Sequence, residues 1–217
     1  MTFIFVHIPK TAGTSFRTAA KQSLTCAWDY GLDSPETSDV IKETVYDKKP
    51  GALAEQISQR KIEFLSGHFI ASKYHNLVPN GKLIGFVRDP VSRLISEYNH
   101  HVRHGGYKGS LEVFCSNAGH HNVQSKYFSG LSLDDFYFVG VTERYSESLE
   151  LFNRSSDLSL PELKTNKAVD RSRDAREVSR SNISSALLQA IREQNRQDSM
   201  LYHSAVARLE SMFLATA

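Results

Sequence analysis

Short apolar runs, each ending in small or polar residues, alternate along the chain with segments of helical periodicity. Phe3, Ile4, Phe5 and Val6 form the first run, too brief for a helix and rich in residues that suit a buried strand. In the turn behind it Pro9 fixes one backbone angle, Gly13 is free to take positive φ, and Thr11, Ala12, Thr14 and Ser15 are small. From Thr14, read as the N-cap, Phe16, Ala19, Ala20 and Leu24 recur at helical spacing. Residues 29–50, with Gly31, Pro35, Asp47 and Pro50, read as irregular. A short helix around Leu53, Ile57 and Arg60 precedes a second strand at Ile62–Leu65, closed by Ser66-Gly67-His68-Phe69. A third strand, Lys82–Val87, runs into Arg88-Asp89-Pro90. There an acidic N-cap and a proline at the first helical position open a helix whose buried stripe is Val91, Leu94, Ile95, Tyr98 and Val102. Phe136–Val141 predict a fourth strand, followed by Thr142 as a cap, Glu143 at the positive helix end, and a helix with Tyr145, Leu149 and Phe152 on one side. Leu187 and Ile191 mark one further helix. Leu201, Ala205, Leu209 and Met212 mark the last, with Asp198 as its cap, and both are expected to cover the sheet. Strands alternating with helices predict a three-layer α/β architecture with a parallel sheet.

Composition narrows the picture. At 217 residues, 40% of them hydrophobic, the chain suits one domain over 1–217 with a sizeable core. A net charge of +2 gives no global basic field, so nucleic acid is not an expected partner and any polyanion site must be local. Cys26 and Cys115 make no disulfide framework and read as reduced, inert thiols. No leader pattern and no run near the ~20 apolar residues of a spanning helix is visible, which gives the expectation of a cytoplasmic protein without a transmembrane segment.

The chemistry concentrates where apolar runs end. The N–H groups opening the first helix would face an anion, with Lys10 adding a full charge. The bland alternative is ordinary α/β punctuation. His68 follows a glycine at a strand's carboxyl end, where its neutral imidazole is able to take a proton from an alcohol; a hydrogen-bonded structural histidine is the competing reading. Arg88 at a strand end and Ser96 two helical turns later suit a phosphate monoester, although an Arg-Asp pair is often only a capping ion pair. His100, His101, His104, His120 and His121 lack a carboxylate at a recognisable ligand spacing, so no metal is expected. Between Lys164 and Arg180 six basic residues stand against three acidic ones without apolar period, as in a solvated loop.

HIPKTAGTSF at residues 7–16 resembles the 5'-phosphosulfate loop of sulfotransferases that use 3'-phosphoadenosine 5'-phosphosulfate (PAPS). In detail it is similar to the carbohydrate-modifying branch, which includes heparan sulfate 2-O-sulfotransferase and small bacterial relatives; Ala12 stands where most of these carry glycine. VRDPVSRLISEY at residues 87–98 resembles the second signature of the family, NVQSKYFSG at 122–130 its N-x-Q-T-R-x-L-x-G stretch, and VGVTERYSESLELF at 139–152 a further segment. The resemblance implies the P-loop nucleotide-kinase-like sulfotransferase fold, PAPS as co-substrate with no metal, and a hydroxyl acceptor on a carbohydrate or glycoconjugate. It implies His68 as the base, Lys10 offsetting charge on the leaving phosphate, and the backbone of Thr11, Ala12, Gly13, Thr14 and Ser15, with the hydroxyls of Thr14 and Ser15, around the 5'-phosphosulfate. Arg88 and Ser96 would hold the 3'-phosphate, and Lys164 and Asn166 would touch the nucleotide. The NVQ stretch is given no role in chemistry beyond packing.

Two rivals stand beside this reading. A P-loop kinase needs the lysine beside a Ser/Thr metal ligand after glycine, whereas Lys10 comes before Gly13. A non-catalytic nucleotide or polyanion binder would use the same cradle but has no need of His68.

Overall fold

The computed structural model of the chain describes residues 1–47, 49, 51–163 and 176–216. Its strands β1 (Phe3–Val6), β2 (Cys26–Asp29), β3 (Phe64–Gly67), β4 (Lys82–Val87) and β5 (Phe138–Val141) form one parallel sheet in the order β2-β3-β1-β4-β5. α1 (Gly13–Ser23) follows β1. α2 (Asp39–Ile41), continued by a π-helical stretch at Lys42–Tyr46, and α3 (Gly51–Gln59) follow β2, and α4 (Ala71–Leu77) follows β3. Beyond β4 come α5 (Pro90–His104), α6 (Leu111–Ser116) and α7 (Val123–Tyr127), and beyond β5 come α8 (Tyr145–Ser156), α9 (Ser185–Gln194) and α10 (Arg196–Thr216).

Register explains the core. Phe3 lies beside Phe64, and Ile84 beside both Phe5 and Phe138, so alternate residues of four strands build one aromatic face. Phe16 of α1 and Phe152 of α8 cover it: Phe16 lies 4.9 Å from Phe5, and Phe152 lies 5.3 Å from Phe3 and 5.5 Å from Phe138. On the opposite face the ring of Phe128, just past α7, presses on Gly85, where a Cβ would come within 2.4 Å of it. Helices on both sides of a parallel sheet give the expected three-layer α/β fold.

Several expectations need correction. The stretch 29–50 is not wholly irregular, since it contains α2 and the π-helical stretch, and β2 just before it went unpredicted. The second predicted strand runs 64–67 rather than 62–65, which places His68 directly after its last residue. The expected fourth strand begins at Phe138 and is the fifth. α9 does not cover the sheet: its buried Ile191 joins Val91, Leu94, Ile95 and Tyr98 of α5 in a second apolar cluster, whereas Ala205 and Leu209 of α10 belong to the main core. Asp198 does not cap α10. It lies inside the first turn, and the cap is the side-chain oxygen of Asn122, which accepts from the N–H groups of Gln197 and Asp198.

Candidate active site

All strands run the same way, so their carboxyl ends share one rim carrying the turn after β1, Tyr30, His68, Arg88 and Thr142. α1 leads from β1 toward the β2 side of the sheet and α5 leads from β4 toward the β5 side. The crevice between those two exits is where open α/β sheets take ligands.

The turn itself is strained where the sequence suggested freedom. Positive φ falls on Lys10 (69°) and Ala12 (63°), not on Gly13. Ala12 is the N-cap, its carbonyl accepting from the N–H groups of Ser15 at 3.1 Å and Phe16 at 3.3 Å, so Thr14 lies within the first turn of α1 and does not cap it. Ser15 thereby uses its N–H inside the helix, while those of Thr11, Ala12, Gly13 and Thr14 meet no acceptor among the described residues. Gly13 is required for space, because a Cβ there would lie 2.0 Å from Cδ2 of His7. Thr11 is buried and ties the turn together, its hydroxyl donating to the Ile8 carbonyl at 2.9 Å.

From the neighbouring strand Arg88 reaches into this turn, its Nη1 donating to the Lys10 carbonyl at 3.1 Å. The two residues therefore lie side by side on this rim. Arg88 Nε is buried without a hydrogen-bond partner among the described residues, and the nearest carboxylate oxygen, on Glu143, is 3.8 Å away. Burial, and then Arg88, push Lys10 below the usual lysine range, with Glu97 pulling the other way; burial likewise lowers Arg88 and raises the Glu143 carboxyl. Two partly desolvated cations with spare donors are what an anion would relieve, so the residues present fit a phosphate or sulfate group. Ser96 is half-buried on the face of α5 that also carries His100 and Arg103, both of which interact electrostatically with Lys10.

His68 stands on the other flank. Its N–H bonds to the Asp29 carbonyl at 3.2 Å, and its Nδ1 lies 2.7 Å from the His7 carbonyl oxygen. A carbonyl only accepts, so Nδ1 carries the hydrogen and Nε2 keeps its lone pair. Burial lowers the pKa of His68 despite the bond to His7, which keeps the ring neutral near pH 7. The His7 ring lies 4.6 Å away and is itself held neutral, its pKa lowered to about 3 chiefly by burial, with the proximity of His68 and the charge of Arg17 adding to it. His7 Nδ1 is 3.3 Å from the Tyr30 hydroxyl, which accepts from Arg17 at 2.6 Å. The Arg17 guanidinium lies over the rings of Trp28 and Tyr30, and beside it opens a hollow of about 430 Å³ lined by Arg17, Thr18, Lys21, Trp28 and Glu36. A larger hollow of about 570 Å³, lined in part by Thr2, Thr25, Ile62 and Glu63, opens at the opposite rim, where β1 and β3 begin, and holds none of these groups.

Beneath His68 the buried Asp29 carboxylate accepts from Lys73 at 2.6 Å, Tyr46 at 2.6 Å and Tyr74 at 2.7 Å. Burial alone would raise its pKa, but these bonds outweigh it and the group stays low. Gly67 allows the close approach of β2, since a Cβ there would lie 1.7 Å from the Asp29 carbonyl oxygen.

The structure thus brings together Lys10, the turn, Arg88 and His68, with Ser96 on the helix beside them. Lys164 and Asn166 lie outside the described residues. Residues past 176 lie along α5: Asn99 exchanges two hydrogen bonds with the backbone of Val178, and Arg180 reaches Asp89 at 2.7 Å. The sequence reading missed His7, Tyr30 and Arg17 as neighbours of His68, and Gln124, which is buried against Arg88. Thr142 donates to the Val87 carbonyl rather than capping a helix, and Glu143 accepts from the Asp89 N–H. Among the described residues no group of three or more His, Cys, Asp and Glu is placed to hold a metal ion, and no helix is long and apolar enough to cross a membrane. Cys26 and Cys115 are free, their thiols pushed up to about 11 and about 12 by burial.

The family model described as "Sulfotransferase family" matches residues 2–203. The chain belongs to that family. Its activity is accordingly the transfer of a sulfonate group from a donor to an acceptor, and the kinase reading falls. Among solved structures, a sulfotransferase from Alicyclobacillus acidocaldarius is similar, with 15% sequence identity, a TM-score of 0.48, and coverage of 98% of this chain and 95% of that one. No curated protein is a significant match.

Proposed function

We propose that this sulfotransferase moves a sulfuryl group from PAPS to a hydroxyl of a carbohydrate acceptor. The observation that carries the reading is the 3.1 Å bond from Arg88 to the Lys10 carbonyl, which joins two cationic turns in one crevice beside a neutral histidine. Lys10 and the N–H groups of Thr11, Ala12, Gly13 and Thr14 hold the 5'-phosphosulfate, with the hydroxyls of Thr14 and Ser15 beside them, and Arg88 with Ser96 holds the 3'-phosphate. His68 Nε2 removes the acceptor's proton as the oxygen–sulfur bond forms. Lys10 offsets the charge that collects on the phosphate oxygen as its bond to sulfur breaks. Alignment and charge stabilisation, rather than a covalent enzyme intermediate, supply the rate.

A carbohydrate suits the hollow beside Trp28, where an indole is surrounded by Arg17, Lys21 and Glu36 and the Arg17–Tyr30–His7 contacts lead to His68. Incubation with PAPS and a panel of sugars, following release of the desulfated nucleotide, tests the reading. His68→Ala is expected to keep nucleotide affinity and lose ~10²–10⁴-fold in turnover; a variant that turns over like wild type removes His68 as the base.

A further inference from the structure

Gln124 links the nucleotide crevice to the carboxyl-terminal helix. β4 ends at Val87, so Arg88 leaves the sheet with neither main-chain group paired in the ladder. Gln124 replaces that missing partner. Its Oε1 accepts from the Arg88 N–H at 2.8 Å, and its Nε2 donates to the Arg88 carbonyl at 2.9 Å. The two bonds from one amide fix both backbone angles of a single residue, as a neighbouring strand would.

Gln124 is fully buried and is itself held. Its N–H donates to Asp198 Oδ2 at 3.0 Å, and the N–H and hydroxyl of Ser125 both donate to Asp198 Oδ1 at 2.7 Å. Asp198 is fully buried in the first turn of α10, and Asn122 secures that turn from the other side. A continuous path of hydrogen bonds thus runs from α10 through Asp198, Gln124 and Arg88 to the carbonyl of Lys10.

The tip of Arg88 is held more loosely than its root. Nη1 has the Lys10 carbonyl, but among the described residues Nε meets no hydrogen-bond acceptor, the Glu143 carboxylate oxygen lying 3.8 Å away. The direction of the side chain is therefore set at the backbone, where Gln124 acts. We infer that Gln124, braced by Asp198, is a positioning residue that aims Arg88 at the 3'-phosphate of the nucleotide, an inference that rests on the assignment of Arg88 in the proposed function.

Affinities for adenosine 3',5'-bisphosphate and for adenosine 5'-phosphate, measured by calorimetry on the full chain, test it. Arg88→Ala is expected to weaken the bisphosphate by ~100-fold and the monophosphate by less than about threefold, the loss of a charge-assisted contact. Gln124→Met, similar in length but unable to pair with the backbone, is expected to weaken the bisphosphate by about tenfold with the same selectivity, and to add nothing in the Arg88→Ala background. A Gln124→Met protein that weakens both nucleotides equally, or still adds its full loss without Arg88, has only a structural role and overturns the inference while leaving Arg88 in place. Equal weakening of both nucleotides by Arg88→Ala overturns the assignment of Arg88 itself. Should Gln124→Met not fold, Asp198→Asn carries the same selectivity at smaller amplitude, and bisphosphate affinity unchanged in that variant overturns the relay.

Discussion

At the scale of single residues the site is organised by what a Cβ costs. Ala12 holds φ at 63°, a region that costs an L residue roughly 1–2 kcal/mol, so its departure from the glycine of similar turns matters for backbone strain rather than size. Ala12→Gly is expected to raise stability by about 0.5–1 kcal/mol after the greater freedom of glycine in the unfolded chain is subtracted, read as a higher urea midpoint; a lower midpoint would mean that the turn is not strained there. Gly13→Ala points the other way. Its Cβ would meet the His7 ring at 2.0 Å, so a loss of about 1–3 kcal/mol is expected together with displacement of the ring that packs on His68. His7 also predicts a pH dependence. Its folded pKa lies far below the ordinary 6.5, so between about 3 and 6.5 the unfolded chain binds a proton that the native protein refuses. Its contribution is present in full above 6.5 and is lost as pH falls through that window, at up to about 1.4 kcal/mol per pH unit. His7→Gln should flatten the dependence of urea stability on pH between 5 and 7, and an unchanged slope would show that His7 titrates normally. The places of Lys10, His68 and Arg88 beyond the ends of β1, β3 and β4 were legible because each stands where an apolar run stops. Gly13 was misread because a missing Cβ serves two needs, backbone freedom and room for a ring, and only coordinates distinguish them.

Among the elements, β2 shows why part of the fold was hidden. Cys26-Ala27-Trp28-Asp29 offers an apolar stretch of only three residues with none β-branched, and a carboxylate in a strand argues against burial until its partners are known. Those partners come from two other elements. Tyr46 projects from the π-helical stretch and Lys73 and Tyr74 from α4, so one carboxylate pins an edge strand, a helix and the segment between them beneath His68. Lys73→Met is therefore expected to cost about 2 kcal/mol in urea unfolding, less than the loss of a fully buried pair because Lys73 is partly exposed and both tyrosines remain. A change within a few tenths of a kcal/mol would mean that the tyrosines suffice to hold Asp29. By contrast α5 was read correctly, with Asp89 accepting from the Ser92 N–H at 2.8 Å and Pro90 opening the helix, because caps are local signals. α9 was placed on the wrong layer, since its stripe of Leu187 and Ile191 declares an apolar face without naming the surface it meets.

In the whole molecule the two cationic turns belong to neighbouring strands whose helices leave in opposite directions along the sheet. The sequence supplied both turns and their order along the chain, but strand order and the meeting of Arg88 with Lys10 depend on pairings some eighty residues apart. A net charge of +2 likewise conceals a local pair of half-buried cations. A ligand that bridges the turns ties the α1 side of the sheet to the α5 and α10 side, so it should stabilise the molecule globally. At a hundred times its dissociation constant, adenosine 3',5'-bisphosphate is expected to add about 2.7 kcal/mol, roughly 5–10 °C in melting temperature for a chain of this size. At the same concentration Lys10→Ala and Arg88→Ala should each lose most of that shift, because each turn supplies one of the two grips. Retention of the full shift by either variant would mean that the nucleotide sits on one turn alone, and the crevice would then be a single-ended anion site in which the distance from sulfur to His68 is left unfixed.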